Sequence, residues 1–360
     1  MRIAFLGDIA LVGQFDKNIN TDVEKKIAYL RDMLGEYDYV IGNLESPLTN
    51  KTSSMVCKSM HLRTDTKNVS TLKELGVNAV TLANNHILDF GDRGLEDTIN
   101  ALEREGIDWY GVNGKTLFLN REERINLSGY CCYSTHGVGY AKDGKKGINT
   151  LTLESAIKQA EKDKQSGNVS VFSIHWGLEH TNYPAYEHIE LAKKIMSKNQ
   201  VVIHGHHPHA IQGIQQSDNG SVVAYSLGNA IFDTTTSLNN KFRVEMNEQN
   251  RRSYILEIEI IDGRITNYSY KGFYIGEQGI RAIDITEEVE SISGVIDSIS
   301  DVDAYQQMRL DQYHKIIQMK FGKHDFKWLA SRLNYYSVGA KIASKSITKK
   351  YEKEKEKFLE

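Results

Sequence analysis

The chain has 360 residues, of which 40% are hydrophobic and 25% charged, and its formal net charge at pH 7 is −3. These values are typical of a soluble globular protein with one large domain and an appendage. The slightly negative net charge excludes a positive electrostatic potential over the whole surface, which would favour nucleic-acid binding. No run reaches the roughly 20 apolar residues of a membrane span. Three cysteines, two of them adjacent, indicate a reducing compartment, so we expect a cytoplasmic protein.

Short apolar runs alternate with amphipathic segments from the first residues onward, which predicts an α/β fold with covered sheet faces. Strands are predicted over 3–6, 37–41, 77–82, 108–112, 125–133, 169–174, 201–203 and 222–227. Helices are predicted over 22–34, 69–75, 91–105, 153–164 and 186–197. Residues 254–261 and 265–274 form a predicted hairpin around Asp262-Gly263.

The character of the sequence changes after about residue 283. Residues 285–333 have a largely helical pattern that includes Trp328, Leu329 and Leu333. Residues 341–360 are a charged tail, which favours a solvated or frayed helix. We therefore predict a main domain over 1–282 and a helical C-terminal extension over 283–360.

Polar side chains of similar chemistry follow six of the predicted strands. In chain order they are Asp8; Asn43 and Glu45; Asn85 and His86; His175; His207 and His209; and Asn229 with Asp233. Each has an ordinary structural explanation, but the carboxyl ends of parallel strands are where open α/β sheets carry their chemistry. A mixed oxygen and nitrogen ligand set suits Mn²⁺, Fe or Zn²⁺. The set is large enough for two divalent ions about 3.5–4 Å apart that share a carboxylate.

The densest part of this set is the stretch VVIHGHHPHAIQG, residues 201–213. His207 and His209 are two residues apart, so in extended backbone both imidazoles would face the same site. Neutral imidazole is the commonest side-chain metal ligand. His206 is expected beside the ligands, and His204 is expected as a packed or hydrogen-bonded strand residue.

Six ordered blocks, GDIALVG, GNLESPLT, LANNHILDFG, IHWGLEH, GHHPHAIQG and SLGNAIFD, together resemble the CapA family. These are capsule-synthesis proteins linked to poly-γ-glutamate, and they are similar to calcineurin-type metallophosphoesterases. The resemblance covers about residues 2–235. It implies a four-layer α/β/β/α sandwich, with two packed sheets and helices outside.

The resemblance also implies roles for individual residues. Six would be metal ligands: Asp8, Glu45, Asn85, His175, His207 and His209. Glu45 lies where the phosphoesterases place a bridging aspartate, and His207 and His209 would each bind one ion. His86 matches the histidine that contacts the substrate phosphate and protonates the leaving group. Such a centre activates water for attack on phosphorus or on an acyl carbon.

Two positions depart from the phosphoesterase pattern. The first motif is Asp-x-His in that group, but here the second position after Asp8 is Ala10. Glu45 replaces an aspartate, which changes the reach of the bridge. A ligand of the first ion is therefore missing or is supplied from elsewhere in the chain.

Several neighbouring residues have two interpretations. Asp89 orients His86, or it is the N-cap of the helix that begins near Gly91. Glu179 contacts substrate or the ligands, or it is a surface residue. Asn43 and Asn229 are candidate substrate contacts, although an amide that closes a loop is an equal alternative for Asn229. Trp176 is expected in the core rather than at the site.

Two functions are compatible with these residues. One is a metal-dependent hydrolase that cleaves phosphoesters or, as a second choice, γ-glutamyl amides, in capsule or poly-γ-glutamate biosynthesis. The other is a non-catalytic accessory protein that binds an anionic polymer or a synthase partner. In either case the C-terminal helices are a candidate docking surface for a capsule-synthesis partner. Because function depends on the site, the fold alone does not separate them.

Overall fold

A computed structural model describes residues 1–58, 60–119, 123–141, 146–238, 243–321 and 335–360. The strands are β1 (Arg2–Ile9), β2 (Tyr39–Leu44), β3 (Ala79–Thr81), β4 (Asp108–Tyr110), β5 (Leu117–Leu119), β6 (Ile125–Cys131), β7 (Val169–His175), β8 (Val201–His206), β9 (Ile214–Gln216), β10 (Val222–Ala224), β11 (Asn229–Ile231), β12 (Thr235–Thr236), β13 (Arg243–Val244), β14 (Arg252–Ile261), β15 (Arg264–Gly276) and β16 (Gly279–Ala282). The α-helices are α1 (Val23–Leu34), α2 (Val69–Glu74), α3 (Gly91–Arg104), α4 (Leu153–Gln165), α5 (Tyr186–Met196), α6 (Thr286–Asp297), α7 (Val302–Phe321) and α8 (Tyr335–Leu359).

The first sheet has the strand order β16-β15-β14-β1-β2-β3-β4, and β11 pairs with the far end of β1. Strands β1 to β4 are parallel, so the ends of β1, β2 and β3 lie at one edge. The predicted hairpin is confirmed as β14 and β15, and β14 continues the sheet antiparallel to β1. The second sheet has the order β5-β6-β7-β8-β10-β9, in which β6, β7, β8 and β10 are parallel. The fold class is therefore mixed α/β.

Apolar residues along the central strands alternate between two separate hydrophobic clusters, as the two-residue period of a strand requires. In β7, Val171 belongs to a cluster with residues of both sheets, whereas Phe172 belongs to a cluster with α4 and α5. In β1, Phe5 belongs to the cluster of both sheets and Leu6 to one with α1, α2 and α3. Each fully buried side chain of this kind contributes about 1.5–3 kcal/mol of transfer free energy.

The end of β1 differs from the sequence expectation. Asp8 was expected just after a strand that ends at Leu6, but β1 continues to Ile9 with a register shift next to Asp8. The continuation forms because β11 pairs in parallel with β1, with Asp8 opposite Asn229. Gly7 permits this approach, since a Cβ there would lie 1.9 Å from the carbonyl oxygen of Gly228.

Asn229 was expected to follow one long strand over 222–227. Instead, the chain leaves the second sheet after β10 and begins β11 in the first sheet. Asn229 is thus the first residue of a strand and does not follow the carboxyl end of one. The reason is the pairing of β11 with β1, which no local pattern of the sequence specifies.

The described part of the C-terminal region is helical, as predicted, and consists of α6, α7 and α8. Helices α6 and α7 are separated near residues 298–301, and Trp328, Leu329 and Leu333 lie outside the described residues. The tail is a helix whose residues 341–357 are exposed or half-buried, as the solvated alternative predicted, but its end is not frayed, because the Phe358 side chain of α8 is fully buried. The Tyr351 hydroxyl donates to Glu187 Oε1 at 2.7 Å, which ties α8 to α5. The boundary at 282/283 falls between β16 and α6, and the division into two domains stays a prediction.

Candidate metal centre

The floor of the site is formed by the ends of β1 and β2. The Asp8 side chain is fully buried and accepts hydrogen bonds from Asn43 Nδ2 at 2.7 Å and from the backbone N–H of His207 at 3.1 Å. Burial alone would raise the pKa of Asp8, but the hydrogen bond and charge of His209, followed by His206 and Asn43, lower it to about 2. Asp8 is therefore an ionised carboxylate inside the protein.

Glu45 is the most unusual group of the site. It is fully buried, and neither of its carboxylate oxygens has a hydrogen-bond partner among the described residues. Burial raises its pKa well above the ordinary value, and the neighbouring Asp8 adds to the increase. Its Oε1 lies 3.5 Å from His209 Nε2 and 3.8 Å from His175 Nε2. A buried carboxylate without donors is costly unless a cation accompanies it.

His175, at the end of β7, joins the two sheets at the site. Its Nε2 lies 3.0 Å from Asn85 Oδ1, and its Nδ1 lies 2.9 Å from His206 Nδ1. Burial, reinforced by the neighbouring imidazoles, lowers the pKa of His175 well below the ordinary value. A neutral imidazole with a free lone pair is the form that binds metal.

His207 and His209 reach one site by a backbone different from the expected one. Extended backbone was predicted, but the φ angles are 104° at His207 and 53° at His209, both in the left-handed region. Such angles are unfavourable for residues other than glycine and are typical of functional sites. The two rings nevertheless lie 6.1 Å apart between centroids. The turn after β8 brings them together, not the two-residue alternation of a strand.

His209 is oriented by Asn229 and Asp8. Its Nδ1 lies 2.8 Å from Asn229 Oδ1 and 3.2 Å from Asp8 Oδ2, so this nitrogen carries a proton. Burial opposes protonation of the ring, but Glu45 and Asp8 raise the pKa of His209 to about 10. For His207, burial is the main cause that lowers the pKa to about 3, and its Nδ1 is buried without a partner.

Among the described residues, four overlapping groups of three could each hold a metal ion, with ligand atoms within 4.8 Å of one another. The groups are Asp8, Glu45 and His209; Glu45, His175 and His207; Asp8, His175 and His206; and Glu179, His207 and His209. The first two share Glu45. The sequence analysis predicted this residue as a bridge, and that role stays a prediction.

Ala10 stands where the phosphoesterase pattern has a histidine, and its surroundings are apolar. Ala10 is fully buried in a small cluster with Val12, Leu62 and Phe232. The Phe232 ring packs edge-on against His209, with centroids 5.0 Å apart. The side of the site near His209 is therefore closed by hydrocarbon and not by another ligand.

The predicted pair His86 and Asp89 lies in the loop between β3 and α3. His86 Nδ1 is 2.6 Å from Asp89 Oδ2, and the two side chains are almost completely buried. The alternative that Asp89 caps the helix is wrong, because Phe90 occupies the N-cap position of α3. An ionised carboxylate can only accept a hydrogen bond, so His86 Nδ1 carries the proton of this bond. The second ring nitrogen, Nε2, takes no part in it.

Lys58, which was not among the predicted site residues, contacts this pair. Its ammonium donates to Asp89 Oδ1 at 2.8 Å and to the Asn85 carbonyl at 2.7 Å, and it lies 3.0 Å from His86 Nδ1. Burial opposes ionisation of Asp89, but Lys58 and then His86 lower its pKa. Burial, followed by Lys58, lowers the pKa of His86. No strand or motif marks Lys58, so its position could not have been found from local pattern.

The other predicted contacts occupy different depths. Asn43 is buried and bonded on both sides, since it donates to Asp8 and accepts from Asn84 Nδ2 at 3.0 Å. The Glu179 side chain is 48% exposed, and its carboxylate lies 3.6 Å from His180 Nε2. Glu179 therefore lies where the site opens to solvent, whereas Asn43 lies at its base.

Two expectations about packed residues are confirmed. Trp176 is buried in the core, and its indole N–H donates to the Tyr225 carbonyl at 2.9 Å. His204 lies between Ser173 Oγ, at 3.0 Å, and the Leu6 carbonyl, at 2.8 Å. Asp233 contacts the backbone N–H of Gln14 and belongs to none of the four groups.

Comparison with known sequences identifies relatives of this chain. The family described as "Bacterial capsule synthesis protein PGA_cap" matches residues 2–234. "PGA biosynthesis protein CapA" of Bacillus subtilis (strain 168) is 28% identical over 240 residues, which are 64% of this chain and 63% of that protein. "Capsule biosynthesis protein CapA" of Bacillus anthracis is 29% identical over 248 residues, 65% of this chain and 60% of that protein.

A more distant relative is a "Probable polyglutamine synthesis accessory protein" of Mycobacterium tuberculosis (strain CDC 1551 / Oshkosh). It is 27% identical over 213 residues, 54% of this chain and 56% of that protein. The matched region thus spans less than two thirds of the length of these curated relatives.

Among solved structures, a hypothetical protein from Thermus thermophilus aligns with a TM-score of 0.46 and 16% identity. The alignment covers 76% of this chain and 99% of that one. Within the part of the chain that the structure describes, no helix combines the length and the apolar content needed to cross a membrane.

Proposed function

This chain belongs to the bacterial capsule synthesis protein family PGA_cap, and from that premise we propose that it is a metal-dependent hydrolase with phosphoesterase-type chemistry. Its biological context would be capsule or poly-γ-glutamate biosynthesis, as the names of the CapA relatives indicate for those proteins. The substrate would be a phosphorylated compound or, as a second choice, a γ-glutamyl amide.

The proposal rests on the surroundings of the Glu45 carboxylate. Within the described part of the chain, both of its oxygens are buried without a hydrogen-bond partner, and imidazole nitrogens of His175 and His209 lie within 4 Å of Oε1. When ionised, Asp8 and Glu45 place two buried carboxylates on the single imidazolium of His209, and this excess of negative charge is poor for stability and well suited to a divalent cation. The donor set therefore fits the proposed metal.

We assign the ligands in two groups that share Glu45. Asp8, Glu45 and His209 would hold one ion, and Glu45, Asn85, His175 and His207 would hold a second. Oxygen and imidazole ligands suit Mn²⁺, Zn²⁺ or Fe. When bound, such ions supply Lewis-acid activation of a water and of the scissile group.

The remaining chemistry belongs to side chains of this protein. In its doubly protonated form, His86 would donate the Nε2 proton to the leaving group and become neutral, because the Nδ1 proton is bonded to Asp89. Asp89 would hold the ring in this orientation and stabilise its charged form. Glu179, at the solvent-facing mouth, would contact the substrate.

Asn43 and Asn229 were predicted as substrate contacts, and that prediction is untested. Their contacts support positioning roles instead. Asn43 holds Asp8, and Asn229 holds His209 through its Oδ1. Partners of this kind fix the orientation of metal ligands.

We also propose that the α/β fold is the four-layer sandwich of the metallophosphoesterases. Three apolar clusters support this arrangement: one between helices and the first sheet, one shared by both sheets, and one between the second sheet and helices. A cytoplasmic location stays a prediction from cysteine usage.

The alternative function is a non-catalytic accessory protein that binds an anionic polymer or a synthase partner. The observation in its favour is the apolar environment of Ala10, which leaves the first ion one ligand short of the phosphoesterase set. The name of the mycobacterial relative also describes an accessory protein. The C-terminal helices would then be the docking surface.

Metal content separates these functions. Protein purified without a polyhistidine tag is analysed for metals, before and after addition of Mn²⁺ or Zn²⁺, and tested on bis-p-nitrophenyl phosphate. His207→Ala and Asn85→Ala remove proposed ligands, and His314→Ala removes an exposed histidine outside the site as the matched control.

About two ions per chain, lost together with turnover in the two ligand variants but not in His314→Ala, would support the hydrolase. Metal binding without turnover on a panel of phosphoesters and γ-glutamyl amides would support the accessory function. A protein that binds no metal after Mn²⁺ or Zn²⁺ addition would contradict the proposed centre.

A further inference from the structure

On the basis of the proposed hydrolase, we propose that Lys58 and the C-terminal helix α8 form a positioning device for the His86–Asp89 pair. Helix α8 begins at Tyr335, about 100 residues beyond the family match that ends at 234. The device would therefore bring a segment outside the matched region into contact with the active centre.

The first step is the position of Lys58. Its side chain is 13% exposed, and two of its N–H groups donate to Asp89 Oδ1 and to the Asn85 carbonyl. These bonds connect the backbone carbonyl of Asn85, a proposed metal ligand, with the carboxylate of Asp89, which orients His86. Burying a lysine head group is costly unless it is paired, so these contacts constrain Lys58 strongly. Its role is to position neighbours and not to receive substrate.

The second step is the chain around Lys58. Residues 54–58 and 60–62, here called the cover segment, enclose Asp89. Ser54 Oγ donates to the Asp89 carbonyl at 2.5 Å, and the backbone N–H of Leu62 donates to Asp89 Oδ2 at 2.8 Å. Together with Lys58, both ends of the cover segment contact the same residue. The position of the cover segment therefore decides the position of Asp89.

The third step is helix α8, which lies against the cover segment. The Tyr336 hydroxyl donates to the Ser54 carbonyl at 2.8 Å, and its ring packs edge-on against His61, with centroids 5.2 Å apart. Gly339 lies so close to Cys57 that a Cβ on Gly339 would be 2.5 Å from the sulfur. The cover segment is otherwise an irregular loop, and packing on a helix restricts its freedom.

Hydrogen–deuterium exchange of the full chain tests this connection without any need for activity. Tyr336→Phe removes the hydroxyl that contacts the cover segment. Tyr351→Phe is the matched control, because it removes a hydroxyl of the same helix that contacts α5. We expect faster exchange across residues 84–90 and the cover segment in Tyr336→Phe only. Equal exchange of residues 84–90 in both variants and the parent would overturn the proposal.

A kinetic test separates positioning from general support of the fold. Lys58→Met should lower turnover of a phosphodiester with a poor leaving group, such as phenol, about 10- to 100-fold. Turnover with p-nitrophenolate as leaving group should change much less, because a good leaving group needs little protonation. Lys58→Arg should restore part of the loss. An equal loss on both substrates would show a structural role and contradict the proposal.

The two tests also distinguish failure of the further proposal from failure of the hydrolase. If the parent protein cleaves neither phosphoesters nor γ-glutamyl amides, the hydrolase is wrong and the exchange experiment alone judges the positioning device. If the parent cleaves esters and the exchange of residues 84–90 is insensitive to Tyr336→Phe, the hydrolase stands and the device is wrong.

Discussion

Glu45 and Asp89 are two fully buried carboxylates in the same centre, and their surroundings are opposite. Asp89 accepts from the Lys58 ammonium and from the backbone N–H of Leu62, and it contacts His86. Glu45 has no hydrogen-bond donor for either oxygen in the residues that the structure describes. Accordingly, the pKa of Asp89 is lowered and that of Glu45 is raised, although burial opposes ionisation of both.

This difference indicates which part of the centre is complete within the chain. The Asp89 carboxylate has all its hydrogen bonds from protein groups, so it stabilises the fold and orients His86. Glu45 shares the His209 ring with Asp8, and despite burial the two carboxylates raise the pKa of His209 to about 10, whereas burial lowers the pKa of His175. When both carboxylates are ionised, one imidazolium therefore faces two buried negative charges. A buried polar group without a partner in an otherwise satisfied structure is a reason to expect a ligand.

The largest effect on stability should come from removing Asp89, whose carboxylate is hydrogen-bonded by protein groups. Asp89→Ala leaves the Lys58 ammonium without its carboxylate, and we expect a loss of about 3–5 kcal/mol in the free energy of unfolding, measured by urea denaturation. Asp22→Ala is the control, because its exposed ion pair with Lys25 is worth about 0–1 kcal/mol. Equal losses in the two variants would contradict the special status of Asp89.

The next effect should have the opposite sign on stability. Glu45→Gln should reduce affinity for Mn²⁺ or Zn²⁺ by at least about 100-fold, equal to about 2.8 kcal/mol, as measured by calorimetric titration. The same change should raise the free energy of unfolding of the metal-free protein by about 1–3 kcal/mol, since it removes a carboxylate without donors. A metal-free variant less stable than the parent would refute this account of Glu45.

The dependence of stability on pH should also differ between the two carboxylates. The raised pKa of Glu45 means that its stabilising contribution is complete below the unfolded value of 4.5 and is lost as pH rises through the folded value. The slope is at most about 1.4 kcal/mol per pH unit. The contribution of Asp89 has the reverse sign, because its lowered pKa makes that contribution present above 3.8 and lost in acid. Urea titrations of metal-free parent and Glu45→Gln should therefore diverge with rising pH, whereas parallel curves would contradict the assignment.

The smallest effect should come from replacing a residue that orients a proposed metal ligand. Asn229→Ala removes the nearer of two acceptors for His209 Nδ1 and should weaken metal affinity about 10-fold, measured by competition with a chelating dye. Asn199→Ala is the control, because the Asn199 amide bonds lie just before β8, at its opposite end. Equal affinity in both variants would exclude Asn229 as an orienting residue.

Much of the site could be predicted because its ligand types follow strands with a clear pattern. Asp8, Asn43, His175 and the pair His207 and His209 are at or near strand ends in the structure, as the alternation of apolar runs and polar loops indicated. The alternatives for Asp89 could not be separated from sequence, because a helix cap and a partner of His86 require the same residue at the same spacing. Distances decided between them.

The sequence by itself determined the α/β class, the succession of the main strands and helices along the chain and the chemistry of the candidate ligands, since these follow from local alternation and residue type. Only the tertiary structure decided which loops meet. Lys58 reaches His86 from 28 residues away, and Tyr336 contacts Ser54 across 282 residues. Contacts of such separation have no local signature, because they depend on how the packed sheets and helices bring distant segments together.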